Sequence, residues 1–189
     1  MKVAFVVFDR MTSLDFIGFY DPITRLKSMN IIDDFEWRIC ATTQYVTDDR
    51  GLRIEADAIA EPLNSYDILF VPGGFGTRSL QHDTRFVDWL KTAGPARLKV
   101  SVCTGALLLG AAGFLRNKRA TTHPSALKEL EQYCREVVRD RVVDEGDIIT
   151  AGGVTAAIDA SLYVVQRLAG PDARTRIAAQ MDYPYRWNP

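Results

Sequence analysis

The run LKVSVCTGALLLG, residues 98–110, carries the most information in this chain. Its first half, Leu98 to Cys103, is valine-rich and reads as a buried strand. Its second half is a short helix-forming stretch that begins at once, with no loop between. A strand that turns directly into a helix, with small residues beside the turn, has the form of a nucleophile elbow, and Cys103 stands at its apex. Such a turn exposes one side chain at the sheet edge and aims the first helical N–H groups at whatever reacts there. The positive end of the helix is expected to favour a thiolate and so to lower the thiol pKa. The competing reading is a buried core cysteine, the commoner fate of a free thiol.

Outward from the elbow, strands alternate with helices. KVAFVVF (Lys2 to Phe8), EWRICAT (Glu36 to Thr42) and DILFVPGG (Asp67 to Gly74) read as strands, the last ending in a Pro-Gly-Gly turn. Helical patterns run from about Phe16 to Met29 and through DTRFVDWLKTAG, with Asp83 as cap and Gly94 as stop. VTDDRGLRIEAD suggests a small hairpin about Asp49-Arg50-Gly51, and REVVRDRVVDEGDIITAGG two short strands turning at Glu145-Gly146. Pro124 suits a first helical turn, TAAIDASLYVVQRLAG is an apolar helix stopped by Gly170, and a last helix runs from Pro171 to about Met181. The alternation predicts an α/β fold: a mostly parallel sheet with helices on both faces. With no linker or repeat to divide it, the whole chain, residues 1–189, reads as one domain.

The charges are balanced, 23 basic against 24 acidic residues, so neither a nucleic-acid nor a membrane surface is expected. The apolar run at the N-terminus is broken by Asp9 and Arg10, which favours a strand over a secretory signal. Three cysteines, Cys40, Cys103 and Cys134, show no metal-type spacing and fit free thiols in a reducing, cytoplasmic setting. Neither a phosphate loop nor a dinucleotide fingerprint is legible, so no cofactor and no metal is expected. Cys40 and Cys134 read as structural, His82 as a surface residue, and the charges of Arg135 to Arg141 and Asp144-Glu145 as solvated hairpin groups.

In doubly wound sheets, ligands sit beyond the carboxyl ends of the strands. Three loops lie there: Asp9 to Gly18, Gly73-Gly74, and Cys103-Thr104-Gly105, all expected to converge on one pocket. The N–H groups of Gly74 and Thr104 are candidates for stabilising an anion, and Phe16, Ile17 and Phe75 for shaping an apolar substrate pocket. Asp15 reads either as a cap for the helix beginning at Phe16 or as an acid facing the cysteine. A carboxyl beside a thiolate must be at least partly protonated, and so is able to act as a general acid. His123, just before Pro124, is equally consistent with a site residue and with a scaffold residue.

VPGG, SVCTGALLLGAAG, ATTHP and GGVTAAIDASL together resemble the ThiJ/PfpI superfamily over essentially the whole chain. That resemblance implies a class I glutamine-amidotransferase-like, flavodoxin-like three-layer sandwich with a nucleophile elbow. Within it, Cys103-Thr104-Gly105, Leu14-Asp15, Arg119 to His123 and the tail from Gln180 to Pro189 are most like the isocyanide (isonitrile) hydratase branch. The resemblance implies that Asp15 hydrogen-bonds Cys103 and that the two are catalytic, in a cofactor-independent hydro-lyase that takes a small-molecule electrophile and forms a homodimer. Protease-like members place a histidine directly after the cysteine; Thr104 stands there, which argues against proteolysis. Other members act on reactive dicarbonyls as glyoxalases or deglycases, and the Thr-Thr-His-Pro stretch leans that way. A redox-sensing or ligand-binding domain without catalysis is the remaining alternative. Related domains occur fused to helix-turn-helix modules; none is legible here, and DNA binding is not expected.

Overall fold

A computed structural model describes residues 1–184. In chain order the strands and helices are β1 (Lys2–Val6), α1 (Ser13–Ser28), β2 (Glu36–Ala41), β3 (Tyr45–Thr47), β4 (Arg53–Glu55), β5 (Ala58–Ile59), β6 (Ile68–Val71), α2 (Thr77–Leu80), α3 (Thr84–Lys91), β7 (Leu98–Val102) and α4 (Gly105–Ala111). After them come β8 (Arg119–Ala120), a 3-10 turn (Pro124–Ala126), α5 (Leu127–Leu130), β9 (Glu136–Val137), β10 (Val142–Asp144), β11 (Ile148–Ala151) and α6 (Ala156–Gln180). Part of the Gln180 to Pro189 tail that carries the branch resemblance, residues 185–189, lies outside the described residues.

The main sheet has the strand order β10-β11-β7-β6-β1-β2-β5. All its neighbours pair in parallel except β10 and β11, the hairpin expected about Glu145-Gly146. The inner strands β1, β6, β7 and β11 are buried almost throughout; β1 and β6 accordingly read as unbroken apolar runs, while β7 and β11 bury the polar Lys99, Ser101 and Thr150 as well. Helices α1 and α6 pack together over one face; α3, α4 and α5 cover the other. The fold is the flavodoxin-like α/β sandwich expected. Strand order reverses at β1, since β2 lies on one side of it and β6 on the other. The crevice beyond the carboxyl ends of β1 and β6 is therefore the switch point where such sheets bind ligands.

One helix boundary changes the reading of residues. Helix α1 begins at Ser13 with Thr12 as its N-cap residue, three positions before Phe16. Asp15 thus lies in the first turn and does not cap the helix. The inward face of α1 is then Asp15, Phe16, Phe19, Ile23 and Leu26, with Leu14 and Ile17 facing out. Phe16 belongs to an aromatic core centred on Phe5, meeting it edge-on at 5.8 Å, while Phe19 stacks on Phe70 at 4.1 Å. At the other end of the chain, Gly170 (φ 87°) breaks α6 just before Pro171, as the sequence reading expected.

The charges near the β10–β11 hairpin are not simply solvated. Asp144 accepts from Tyr163 and Arg167, Glu145 pairs with Arg119 at 2.7 Å, and Arg141 reaches the buried Asp159 of α6 at 2.5 Å. These contacts tie the edge hairpin to the last helix and to β8. Their partners are distant in sequence, so local charge patterning did not reveal them.

Candidate active site

Cys103 occupies the turn between β7 and α4 with φ at 55°, a region that L residues with a Cβ enter only when the surroundings hold them there. The holding groups are present. Its N–H donates to the carbonyls of Ala151 (3.0 Å) and Gly152 (2.9 Å) at the end of β11, and its carbonyl accepts from the Thr122 hydroxyl at 2.7 Å. A Cβ on Gly105, the first residue of α4, would lie 2.3 Å from the Val71 carbonyl oxygen. Only glycine lets the helix start this close to the end of β6. Likewise a Cβ on Gly73 would lie 2.5 Å from the Thr104 nitrogen and 2.8 Å from the Cys103 Cβ, so the β6 turn presses directly against the elbow.

That contact delivers Asp15. Its side chain is fully buried, and Oδ2 accepts a 2.9 Å hydrogen bond from the Gly73 N–H. Oδ1 is buried with no conventional donor. The Cys103 thiol stands beside this carboxyl, close enough for each group to shift the other's titration but outside the alignment of a well-formed hydrogen bond. Such looseness is usual before substrate binds.

Burial pushes Asp15 up to about 7; the Gly73 N–H and the thiol pull it partly back, and nearby Asp49 adds to the rise. Burial, and next the Asp15 charge, push Cys103 up to about 12 against the opposing Thr104 N–H. The expected lowering of the thiol pKa by the helix end is therefore overturned: desolvation and a neighbouring anion outweigh the helix end and the Thr104 N–H. The two groups titrate as a pair, which keeps one proton between sulfur and carboxylate from neutral pH far into the alkaline range.

Cys103 is only 6% exposed, yet it lines a pocket of about 140 Å³ that also receives Thr12, Phe75, Arg78, His123 and Ser125. Of the expected pocket residues, Phe75 and His123 are present, together with Gly74 and Thr104. Phe16 and Ile17 are not: the first is core and the second is exposed on the outer side of α1. The Gly74 N–H is not an open donor, because it is bonded at 2.9 Å to the Thr104 hydroxyl, whose Oγ1 also lies 3.1 Å from the Gly74 carbonyl. The Thr104 N–H is directed at the Cys103 sulfur. His123 is held by Ser125: its Nδ1 accepts from the Ser125 N–H and lies 2.8 Å from the Ser125 hydroxyl. Arg78 and Ser125 sit in a four-residue helix and a 3-10 turn, too short for any periodic signal, and sequence reasoning missed both.

Cys40, buried beside Tyr66, and Cys134, half-buried against the Leu130 carbonyl, both lie away from this pocket. Among the described residues, no group of three or more His, Cys, Asp or Glu side chains is arranged to hold a metal ion, and no helix is long and apolar enough to cross a membrane.

The DJ-1/PfpI family model matches residues 1–167, a span that takes in the elbow, the Gly73-Gly74 turn and Asp15. The chain belongs to the DJ-1/PfpI family. Among its relatives, the isonitrile hydratase of Pseudomonas putida is 35% identical over 97% of this chain and 78% of its own length. A more distant DJ-1/PfpI relative, the glutathione-independent glyoxalase DJR-1.2 of Caenorhabditis elegans, is 27% identical over 70% of this chain and 72% of its own. A crystal structure of a ThiJ/PfpI family protein from Pseudomonas syringae superposes with a TM-score of 0.89 at 28% identity, covering 98% of this chain and 76% of that one.

Proposed function

We propose that this protein is a cofactor-independent hydratase that converts isocyanides to N-substituted formamides, with Cys103 as nucleophile and Asp15 as its proton carrier. The observation that carries the reading is the placement of one buried carboxyl, bonded to Gly73, beside Cys103 on the wall of the pocket. Identity to an isonitrile hydratase over nearly the whole chain supports the choice of substrate class.

Asp15 as carboxylate takes the thiol proton as the sulfur attacks the terminal isocyanide carbon. The same proton passes from the carboxyl to that carbon, giving a thioimidate bound to Cys103. Asp15 then draws a proton from water as the hydroxyl adds to the thioimidate carbon, and the nitrogen is protonated. Collapse of this adduct breaks the carbon–sulfur bond, returns the hydroxyl proton to the sulfur and releases the formamide. Water is the one reagent consumed. A thiol that ionises freely would gain nothing here, because the reaction needs the proton as well as the sulfur. Thr104 directs its N–H at the sulfur and holds Gly74, so both orient the adduct rather than stabilise an oxyanion. In this reading residues 1–189 act as one catalytic domain, as a homodimer in the cytoplasm.

Incubation with an aryl isocyanide, followed by absorbance of the formamide, tests the proposal. Turnover is expected from the wild type and not from Cys103→Ala; equal rates from the two would refute it.

A second reading has its own observation, the His123 imidazole on the wall of the same pocket. A histidine facing a cysteine suits the proton transfers that turn methylglyoxal into lactate. Lactate formation that depends on both Cys103 and His123 would favour this glyoxalase reading. A purely redox-sensing role fits less well, since burial and the Asp15 charge both work against the thiolate that oxidation needs.

A further inference from the structure

Among the described residues, the pocket wall carries one fixed cation and no anion. Arg78, on α2, lines the cavity together with Cys103, while none of the described lining side chains is a carboxylate. Asp15 lies beside the sulfur but does not line the cavity. Glu129 of α5 approaches the Arg78 guanidinium at 3.5 Å and is not a pocket residue, so it steadies the arginine from outside. A guanidinium has five N–H donors, and one carboxylate neighbour leaves several to face the cavity. His123 also lines the cavity, with Nδ1 held by the Ser125 N–H and Nε2 left as the nitrogen able to donate. The cavity, about 140 Å³, is small enough that a molecule touching the sulfur also lies near this wall.

We infer that Arg78 is a specificity-determining residue that pairs with a carboxylate on the substrate, so that the natural electrophile is a small molecule bearing an anionic group close to its reactive carbon. This deepens the function proposed above and, on that reading, names the substrate class as isocyanocarboxylates. Arginine meets a carboxylate with two parallel hydrogen bonds, which fixes the reactive end as well as attracting the charge. Discrimination against a neutral isostere follows, because the guanidinium would then lose its partner in a partly desolvated site.

Iodoacetate and iodoacetamide test this without any assumption about turnover. They are nearly the same size and differ in charge, and each alkylates Cys103 as the sulfur–carbon bond forms, iodide leaves and the thiol proton passes to solvent. The rate ratio, read at the Cys103 peptide by mass spectrometry, cancels any change in thiol reactivity. In the wild type, the iodoacetate-to-iodoacetamide ratio should exceed that of Arg78→Gln by about tenfold or more, with Arg78→Lys between them. Equal ratios in the wild type and Arg78→Gln would overturn the inference. Isocyanoacetate and its methyl ester supply a second readout: a kcat/KM preference for the acid should collapse in Arg78→Gln. Should neither be turned over while the alkylation ratios behave as expected, the hydratase reading fails and the anion-selective wall stands. Should both be hydrated equally and the alkylation ratios not move, the wall fails and the hydratase stands.

Discussion

At the scale of single residues, the chemistry rests on a competition between burial and charge. The end of α4 and the Thr104 N–H favour an ionised sulfur, but Cys103 is desolvated and faces a carboxyl that is itself held near 7. Removing the Asp15 charge should therefore let the thiol ionise more easily. Ultraviolet titration of the thiolate is expected to place the Cys103 pKa of Asp15→Asn below that of the wild type; an unchanged or higher value would mean that the two groups do not sense each other. Asparagine keeps an oxygen for the Gly73 N–H, so the change is mainly one of charge.

At the scale of elements, three loops converge because glycine lets backbone meet backbone. Gly105→Ala puts a methyl 2.3 Å from the Val71 carbonyl oxygen, so α4 must move away from β6 or the turn must open. Overpacking of this kind costs about 1–3 kcal/mol, and denaturant unfolding should show that loss together with reduced thiol reactivity at Cys103. The elbow itself was legible, since an apolar strand followed at once by a helix allows little else at Cys103. The parallel core was legible for a similar reason: β1 and β6 are too continuously apolar for a half-exposed sheet. Less visible was where α1 begins. Periodicity suggested Phe16, while the chain turns at Thr12, and those three residues decide that Asp15 and Phe16 face inward and Ile17 outward. Nor did spacing reveal that the Thr104 hydroxyl occupies the Gly74 N–H, a matter of one side-chain rotamer across two loops.

For the whole molecule, the buried acid has a thermodynamic consequence. Asp15 has a folded-state pKa of about 7, above its ordinary 3.8, so the folded state holds this proton more tightly than the unfolded chain does. Its contribution to stability is full below about pH 4 and is lost as pH rises through 7. Asp15→Asn lacks that loss. Unfolding experiments should find the variant more stable than the wild type by a few kcal/mol at pH 8, with little difference near pH 4. A gap independent of pH would place the effect elsewhere. The fold thus keeps, at its switch point, a carboxyl that lowers stability at neutral pH and holds a proton where the sulfur reacts. The pH dependence of aryl isocyanide hydration, compared between the wild type and Asp15→Asn, bears on this most directly. Wild-type kcat/KM should climb through pH 7 as the pair becomes a monoanion and then stay level into the alkaline range; the variant should lack that limb and be slower by about 100-fold or more. A variant that hydrates isocyanides at the wild-type rate with the same limb would contradict the shared-proton account.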